Sequence, residues 1–440
     1  MDCFYPTSRS VPSLCSSPSS SSRSSSPSSA KTPATERSVI FGDHDLPFFD
    51  SLLHDDRYIL VLGGLGYIGG HTTVELLKAG YNVIVIDNLS NSYRDVLDRI
   101  HLLRDRYYQG KAGAAPALDF YDIDYQDIPT MESIIEKYDR PSTWDSEHGP
   151  RRSKITGVIH FAAFKSVEES IANPLRYYSN NVCGMVDLLG LLGDHGIKTF
   201  IFSSSATVYG TLANSGKPIR EEFCVHKPET FEDEDGVVQT QETGSTGITN
   251  PYGRTKWMCE AILSDLAAAD PDWTIVALRY FNPVGCDESG ILTEEPKGKP
   301  SNLMPLVVKT MQGEMEALQV FGANWETKDG TAVRDFIHVS DLARGHITAL
   351  TSANEGRIHQ PFRTFNLGTG CGHSVREVVD AMETASSKKI ATRVVGRREG
   401  DVGYCVARAT RAHEELRWKT EKSLKDCCVD ILNCLKLRSH

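Results

Sequence analysis

From Tyr58 onward the apolar residues fall into short unbroken runs that alternate with stretches of helical periodicity. Tyr58-Ile-Leu-Val-Leu62, Asn82-Val-Ile-Val-Ile-Asp87, Gly157-Val-Ile-His-Phe-Ala-Ala163, Thr199-Phe-Ile-Phe-Ser-Ser-Ser205 and Thr274-Ile-Val-Ala-Leu-Arg-Tyr280 are runs of this kind. A run without polar alternation suits a strand covered on both faces, and helices between such strands suit parallel pairing. The pattern predicts an α/β fold with a doubly wound parallel sheet of the Rossmann type, whose strands present their carboxyl ends to one crevice. Asp87, Phe161–Lys165, Ser203–Ser205 and Tyr280–Asn282 form the expected rim.

Between the first two runs stand Gly63, Gly64, Gly66, Gly69 and Gly70, followed by a helical pattern over His71–Lys78. Strand, glycine turn, helix and a second strand ending in an acid is the order of a dinucleotide site. Glycine lets the backbone turn tightly and approach a pyrophosphate, whose charge the free N–H groups and dipole of the helix start then meet. Asp87 is placed to accept hydrogen bonds from a ribose 2′-hydroxyl and to repel a 2′-phosphate, which favours NAD over NADP. For the glycines taken alone, a helix-capping turn is the alternative.

A second constellation is Tyr252-Gly-Arg-Thr-Lys256, on a helix opened by Asn250-Pro251. Spacing of i,i+4 puts phenol and ammonium on one helical face. A free phenol titrates near pH 10, so a base at neutral pH needs its phenolate stabilised, here by Lys256 and by a cationic nicotinamide ring. Tyr252 then takes a proton from a substrate hydroxyl while the carbon below surrenders hydride, and Ser205 at its strand end relays the proton. A solvated helix face shows the same Y-x-x-x-K pattern; the dinucleotide signature before it favours chemistry.

Composition narrows the class. The chain has 440 residues, 40% hydrophobic and 24% charged, enough for a large soluble core, and its net charge of −11 is spread without a basic stripe. Nucleic acid and an anionic membrane surface are therefore unexpected partners. No apolar stretch is long enough to span a bilayer, and Met1–Leu14 lacks the layout of a secretory signal, so a cytoplasmic location is expected. The 11 cysteines are scattered without C-x-x-C pairs or zinc-ligand spacing, so reduced thiols and no metal are expected. Residues 1–56 are expected to form a disordered Ser/Pro-rich tail, in which Arg9, Arg23 and Lys31 faintly resemble a transit peptide. Arg140–Lys154 and the acidic, Thr- and Gly-rich His226–Ile248 read as inserted surface loops.

Taken in order, several segments resemble the UDP-glucose 4-epimerases of the extended short-chain dehydrogenase/reductase family, over about 58–425. They are Gly63-Gly-Leu-Gly-Tyr-Ile-Gly69, Phe202-Ser-Ser-Ser-Ala-Thr-Val-Tyr-Gly210, Asn250-Pro-Tyr-Gly-Arg-Thr-Lys256, Arg279-Tyr-Phe-Asn-Pro283, Asn302-Leu-Met-Pro305, Val333-Arg-Asp-Phe-Ile-His-Val339 and Arg397-Arg-Glu-Gly-Asp-Val402. The resemblance implies NAD as cofactor, a UDP-hexose as substrate and a homodimer. It also implies a smaller C-terminal α/β domain, with 57–282 mainly NAD-binding, 283–440 mainly UDP-sugar-binding and some exchange of chain between them.

Site residues follow from the same resemblance. Gly63, Gly66, Tyr67, Ile68 and Gly69 would hold the pyrophosphate, Asp87 and Asn88 the adenosine ribose, and Asp122 and Ile123 the adenine. Lys165, Asn180, Tyr252, Lys256 and Phe281 would place the other ribose and the nicotinamide, with Phe161, Ala162 and Ala163 lining the pocket. Ser205 and Tyr252 would flank the reacting hydroxyl. Asn282, Asn302, Leu303, Gln319, Phe321, Arg334, Arg398 and Asp401 would hold the nucleotide sugar, the two guanidinium forks meeting its diphosphate. The implied reaction interconverts UDP-glucose and UDP-galactose: C4 becomes a ketone, the keto sugar swings over while UDP stays anchored, and hydride returns to the other face.

Leu62 stands where the family usually has Thr, Ala163 where Gly is common, Glu168 where Gly is usual and Val284 where Thr often occurs. Cys405 falls where the resemblance places a sugar-pocket wall residue, a bulky Tyr in some relatives and small in others; the alternative is a small core residue turned away from the sugar, with Tyr404 supplying the bulk. A small wall leaves space for a 2-acetamido group, so N-acetylated UDP-hexoses are expected as substrates too. Two other readings stay open. A nucleotide-sugar 4,6-dehydratase needs an acid/base pair where Ala206-Thr207 stand, and a non-catalytic NAD-binding regulator would keep the fold alone.

Overall fold

The structure is a computed structural model that describes residues 56–140, 153–233, 235–298, 300 and 302–438. The expected tail up to residue 55 and most of the insert Arg140–Lys154 lie outside the described residues. Seven strands form the main sheet: β1 (Tyr58–Leu62), β2 (Asn82–Asp87), β3 (Leu118–Asp122), β4 (Ile155–His160), β5 (Thr199–Ser205), β6 (Thr274–Tyr280) and β7 (Phe362–Leu367). Their order is β7-β6-β5-β4-β1-β2-β3, and every neighbouring pair runs parallel. The order reverses between β1 and β4, where a doubly wound sheet opens its crevice.

The unbroken apolar runs have a direct cause. Ile59 and Val61 enter one buried layer with Leu76 and Leu77 of the helix Tyr67–Lys78 and Leu350 of the helix Val339–Asn354. Leu60 and Leu62, pointing the other way, join Met185, Leu188 and Leu263. Each side chain so covered contributes about 1.5–3 kcal/mol of burial free energy, so neither face of β1 tolerates polarity.

The first helix starts at Tyr67, ahead of the His71 expected from periodicity. Its Gly69 and Gly70 are poor helix formers, costing about 1 kcal/mol each. At Gly69 that cost is offset by a close approach: a Cβ there would lie 2.1 Å from the Gly63 carbonyl oxygen.

After β6 the chain builds smaller sheets. Val333–His338 pairs with Asn282–Val284, Gly372–Ser374 and Tyr404–Cys405, and Leu318–Phe321 pairs with Thr392–Val395. Met304, Val307, Leu318, Phe336, Val378 and Met382 form a separate apolar cluster there. Yet β7 and the helix Val339–Asn354 return to the main sheet.

The insert His226–Ile248 is more than a loop. It contains an antiparallel hairpin of Glu229–Glu232 with Val238–Gln241. Its turn is fixed by the Asp233 carboxylate, which accepts the N–H groups of Asp235 (3.0 Å) and Val237 (2.9 Å), and by Gly236 at φ +77°. The charges that suggested a loop sit on a solvated two-stranded ribbon, where Thr, Phe and Val supply the strand propensity.

Candidate active site

At the switch point the backbone itself makes a cradle. Gly63 has φ +77°, and a Cβ on it would meet the Ala162 nitrogen at 2.9 Å. The helix Tyr67–Lys78 has Gly66 at its cap, no side-chain cap bond and no acid in its first turn, so its first N–H groups are unopposed. The Tyr67 hydroxyl donates to the Gly285 carbonyl (2.7 Å), tying this helix to the segment after β6. Asp87 accepts from Leu65 N–H (3.0 Å), Leu89 N–H (2.9 Å) and the Ser92 hydroxyl (2.8 Å). A carboxylate offers about four lone-pair sites, so one is left for a ribose hydroxyl. Turn, helix start and strand-end acid together fit a dinucleotide.

A cavity of about 280 Å³ opens on this cradle. It brings together Gly63, Gly66, Tyr67, Ile68, Gly69, Asp87, Asn88, Ile123, Phe161, Ala162, Ala163, Lys165, Asn180, Tyr252, Lys256 and Phe281. Asp122, expected beside them, does not line it. Its half-exposed side chain at the end of β3 lies 3.7 Å from Arg94, an available cation on the solvent side.

The helix Pro251–Ala269 opens on Asn250, whose side-chain oxygen accepts the Gly253 N–H (2.8 Å), with Pro251 in the first turn. Tyr252 and Lys256 thereby point into the sheet, both buried. Burial pushes the Tyr252 phenol up to about 12, opposed by a hydrogen bond from Ser205. Burial pushes the Lys256 ammonium down to about 8, opposed by Cys259 and Glu260. Lys256 is expected to stabilise the phenolate together with a cationic nicotinamide ring. Its Nζ lies 6.0 Å from the Tyr252 ring centroid and donates to the Ser203 carbonyl (2.6 Å), because a buried ammonium must find a strong acceptor.

Ser205 Oγ accepts from Thr207 N–H (3.3 Å) and the Thr207 hydroxyl (3.0 Å), which leaves its own proton to donate. Ser203 bonds the Tyr280 hydroxyl, while Ser204, on the other face of the strand, donates to Glu260. The expected rim residue Ser204 is thus turned out of the crevice, as the two-residue period of a strand requires.

A second cavity of about 340 Å³ meets the first at Ser205, Tyr280, Phe281, Asn282, Pro283 and Asn302. Ser205, Asn282, Asn302, Leu303, Gln319, Phe321, Arg334, Arg398, Asp401 and Cys405 all line it. Arg334 is held by the Asp401 carboxylate and donates to the Val402 carbonyl (2.7 Å), so Asp401 orients this arginine. The Arg398 guanidinium stacks on Phe321, 4.1 Å from the ring centroid. Cys405 is buried, and burial pushes its thiol up to about 12, making it a small neutral wall. Its neighbour Tyr404 does not line the cavity.

Sequence reasoning passed over Glu294, which lines the second cavity. Its carboxylate accepts from the Asn302 amide (2.6 Å) and lies 3.6 Å from Lys165 Nζ. Nothing in Glu294-Glu295-Pro296 distinguishes it from a solvated acid.

Residues 59–368 match the NAD dependent epimerase/dehydratase family. The chain belongs to this family. Among its relatives, the UDP-glucose 4-epimerase of Dictyostelium discoideum is 42% identical over 376 residues, 86% of this chain and 94% of that one. The UDP-glucose 4-epimerase of Homo sapiens is 41% identical over 379 residues, 85% and 94% of the two chains. The crystal structure of UDP-glucose 4-epimerase from Bifidobacterium longum in complex with NAD+ and UDP has a TM-score of 0.71 at 41% identity. It covers 87% of this chain and 99% of that one.

Proposed function

We propose that this epimerase/dehydratase family member interconverts UDP-glucose and UDP-galactose, with NAD bound and recycled within each turnover. The observation that carries the reading is the meeting of the two cavities at Ser205 and Phe281, with Tyr252 and Lys256 in the wall of the first. Bound in the first cavity, NAD would supply the acceptor and donor of the C4 hydride, and its cationic ring would favour the Tyr252 phenolate. Tyr252 Oη takes the C4 hydroxyl proton and gives it back to the same oxygen, so one base serves both halves of the reaction. Ser205 donates to that oxygen and fixes its distance from the phenol. Lys256 holds the ribose side of the cradle and keeps a positive charge behind the phenol.

In the second cavity Arg334 and Arg398 take the diphosphate, to which planar forks are suited. Around the hexose stand Phe281, Asn282 and Cys405, short or apolar side chains that let the ring turn while the nucleotide stays anchored. The small Cys405 supports a wider range that includes N-acetylated UDP-hexoses. Ala206 and Thr207 carry no carboxyl group, which speaks against elimination of water. The same reading takes the protein as a cytoplasmic homodimer, with Leu175 and Val186 exposed on nearby helices as an apolar contact face. Among the described residues no helix is long and apolar enough to cross a membrane. It also takes 57–282 as mainly cofactor-binding and 283–440 as mainly substrate-binding.

The deciding experiment incubates purified protein with UDP-galactose and no added NAD. UDP-glucose is the expected product. A 4-keto-6-deoxy sugar, or no conversion by protein shown to contain NAD, overturns the reading.

A further inference from the structure

The helix that carries Tyr252 and Lys256 continues, at the same i,i+4 spacing, to Glu260. The Glu260 carboxylate is fully buried. It accepts from Arg279 Nε (3.0 Å) and Nη2 (2.6 Å), bonds His226 Nε2 (2.9 Å), and receives the Ser204 hydroxyl. Arg279, equally buried, spends its other donors on the Tyr209 hydroxyl (3.1 Å) and the carbonyls of Glu221 (3.3 Å) and Cys224 (2.8 Å). No step of the reaction above uses these groups.

Two features give the cluster a place in the chemistry. Ser204 is the middle of Ser203-Ser204-Ser205, so its bond to Glu260 joins the strand end that presents Ser205 to the helix that presents Tyr252. The second feature is charge, because apolar residues of equal volume would hold a helix on a sheet at least as well as a buried ion pair. The groups facing Lys256 are Tyr252, Cys259 and Glu260 on its own helix, His160 at the end of β4, and the Ser203 carbonyl on β5. Arg279 of β6 lies beyond Glu260. Burial holds His160 neutral, pushed down to about 3. Burial also opposes the Glu260 charge, yet Arg279 and His226 hold its carboxyl far below the usual carboxylate range. Glu260 is therefore the anion in this shell at neutral pH.

We propose that Glu260 is a positioning residue for the reaction assigned above, on which this inference rests: it fixes the strand end that sets Ser205 against Tyr252, and it keeps Lys256 in its ammonium form. Glu260→Gln removes the charge at nearly constant shape, Glu260→Asp retains it, and Ser204→Ala removes only the link to the strand. In holoenzyme, Glu260→Gln is expected to move the alkaline limb of kcat about one pH unit toward neutrality, because Lys256 then loses its proton at lower pH. KM for UDP-galactose should stay within about twofold, and Glu260→Asp should restore the limb. Ser204→Ala is expected to lower kcat about tenfold with the limb unmoved, since it disturbs alignment and not charge.

The Lys256 titration can also be followed by the ¹³Cε NMR shift in lysine-labelled protein, which is independent of turnover. A Lys256 midpoint and alkaline limb both unmoved in Glu260→Gln overturn the proposal. Should that variant fail to fold, Ser204→Ala decides: wild-type kcat overturns the proposal, and a lowered kcat at unchanged melting temperature supports it. A wild type that converts no UDP-galactose, combined with a lowered midpoint in Glu260→Gln, removes the assigned reaction and leaves the charge role standing.

Discussion

The two cavities are built from different material. The first rests, at its glycine end, on backbone: the turn at Gly63 approaches the start of the helix Tyr67–Lys78 and the strand-end segment after β4 so closely that a Cβ on Gly63 or Gly69 would collide with main chain. The second is walled by side chains from segments far apart in sequence, and its two arginines are held by neighbours, Arg334 by Asp401 and Arg398 by the Phe321 ring. A backbone site responds to substitution by all-or-none loss, because main chain cannot give way without unmaking the sheet. A side-chain site loses affinity in steps and can be reshaped one residue at a time. Tight retention of a cofactor suits the first construction, and release of a product suits the second.

The largest effect that would test this contrast is at Gly69. Gly69→Ala places a methyl 2.1 Å from the Gly63 carbonyl, and protein carrying no dinucleotide is expected, measured by nucleotide released on denaturation. A variant that retains the full complement of cofactor breaks the contrast at its stronger end. Next is Tyr252→Phe, which leaves both walls intact and removes only the titrating oxygen. Turnover should fall about 10²–10⁴-fold with cofactor content unchanged, read by initial rates and by the bound nucleotide. Arg334→Ala should raise KM for UDP-galactose about 10- to 150-fold, the loss of a hydrogen-bonded charge, while kcat changes little and NAD stays bound. Cofactor loss in that variant would show that the two walls are one. The smallest and most selective effect is expected at Cys405. Cys405→Tyr should suppress epimerisation of UDP-N-acetylglucosamine roughly 5- to 150-fold while sparing UDP-glucose, and equal losses on both sugars would put Cys405 outside the sugar pocket.

The same contrast governs what could be read from sequence. The strands of the main sheet were legible because burial on both faces leaves no polar position in Ile59–Leu62 or Val83–Ile86. The glycine turn was legible because its geometry excludes other residues. The start of the first helix was not, because Gly69 and Gly70 contradict helix propensity and are explained only by the approach to Gly63. The hairpin Glu229–Glu232 with Val238–Gln241 was hidden by its acids, since an exposed ribbon has no apolar face to announce it. Asp122 was placed by likeness to relatives, and its own environment turns it to Arg94. Glu260 was missed for a related reason: a glutamate in a helix ordinarily marks a solvated face, and the arginine paired with it stands on the next element, the strand β6, where only the folded sheet brings it under the helix.

Asp87 carries a consequence for any attempt to retarget this enzyme. The carboxylate proposed to disfavour a 2′-phosphate is also the acceptor for Leu65, Leu89 and Ser92, so it staples the glycine turn to the following loop. Exchanging it for a small or cationic residue, the obvious route to NADP use, releases three donors at once, each worth about 1.5–3 kcal/mol when paired with a charge. Cofactor preference here is welded to the scaffold. A lineage drifting toward the other dinucleotide would have to replace the staple before it could alter the taste of the site.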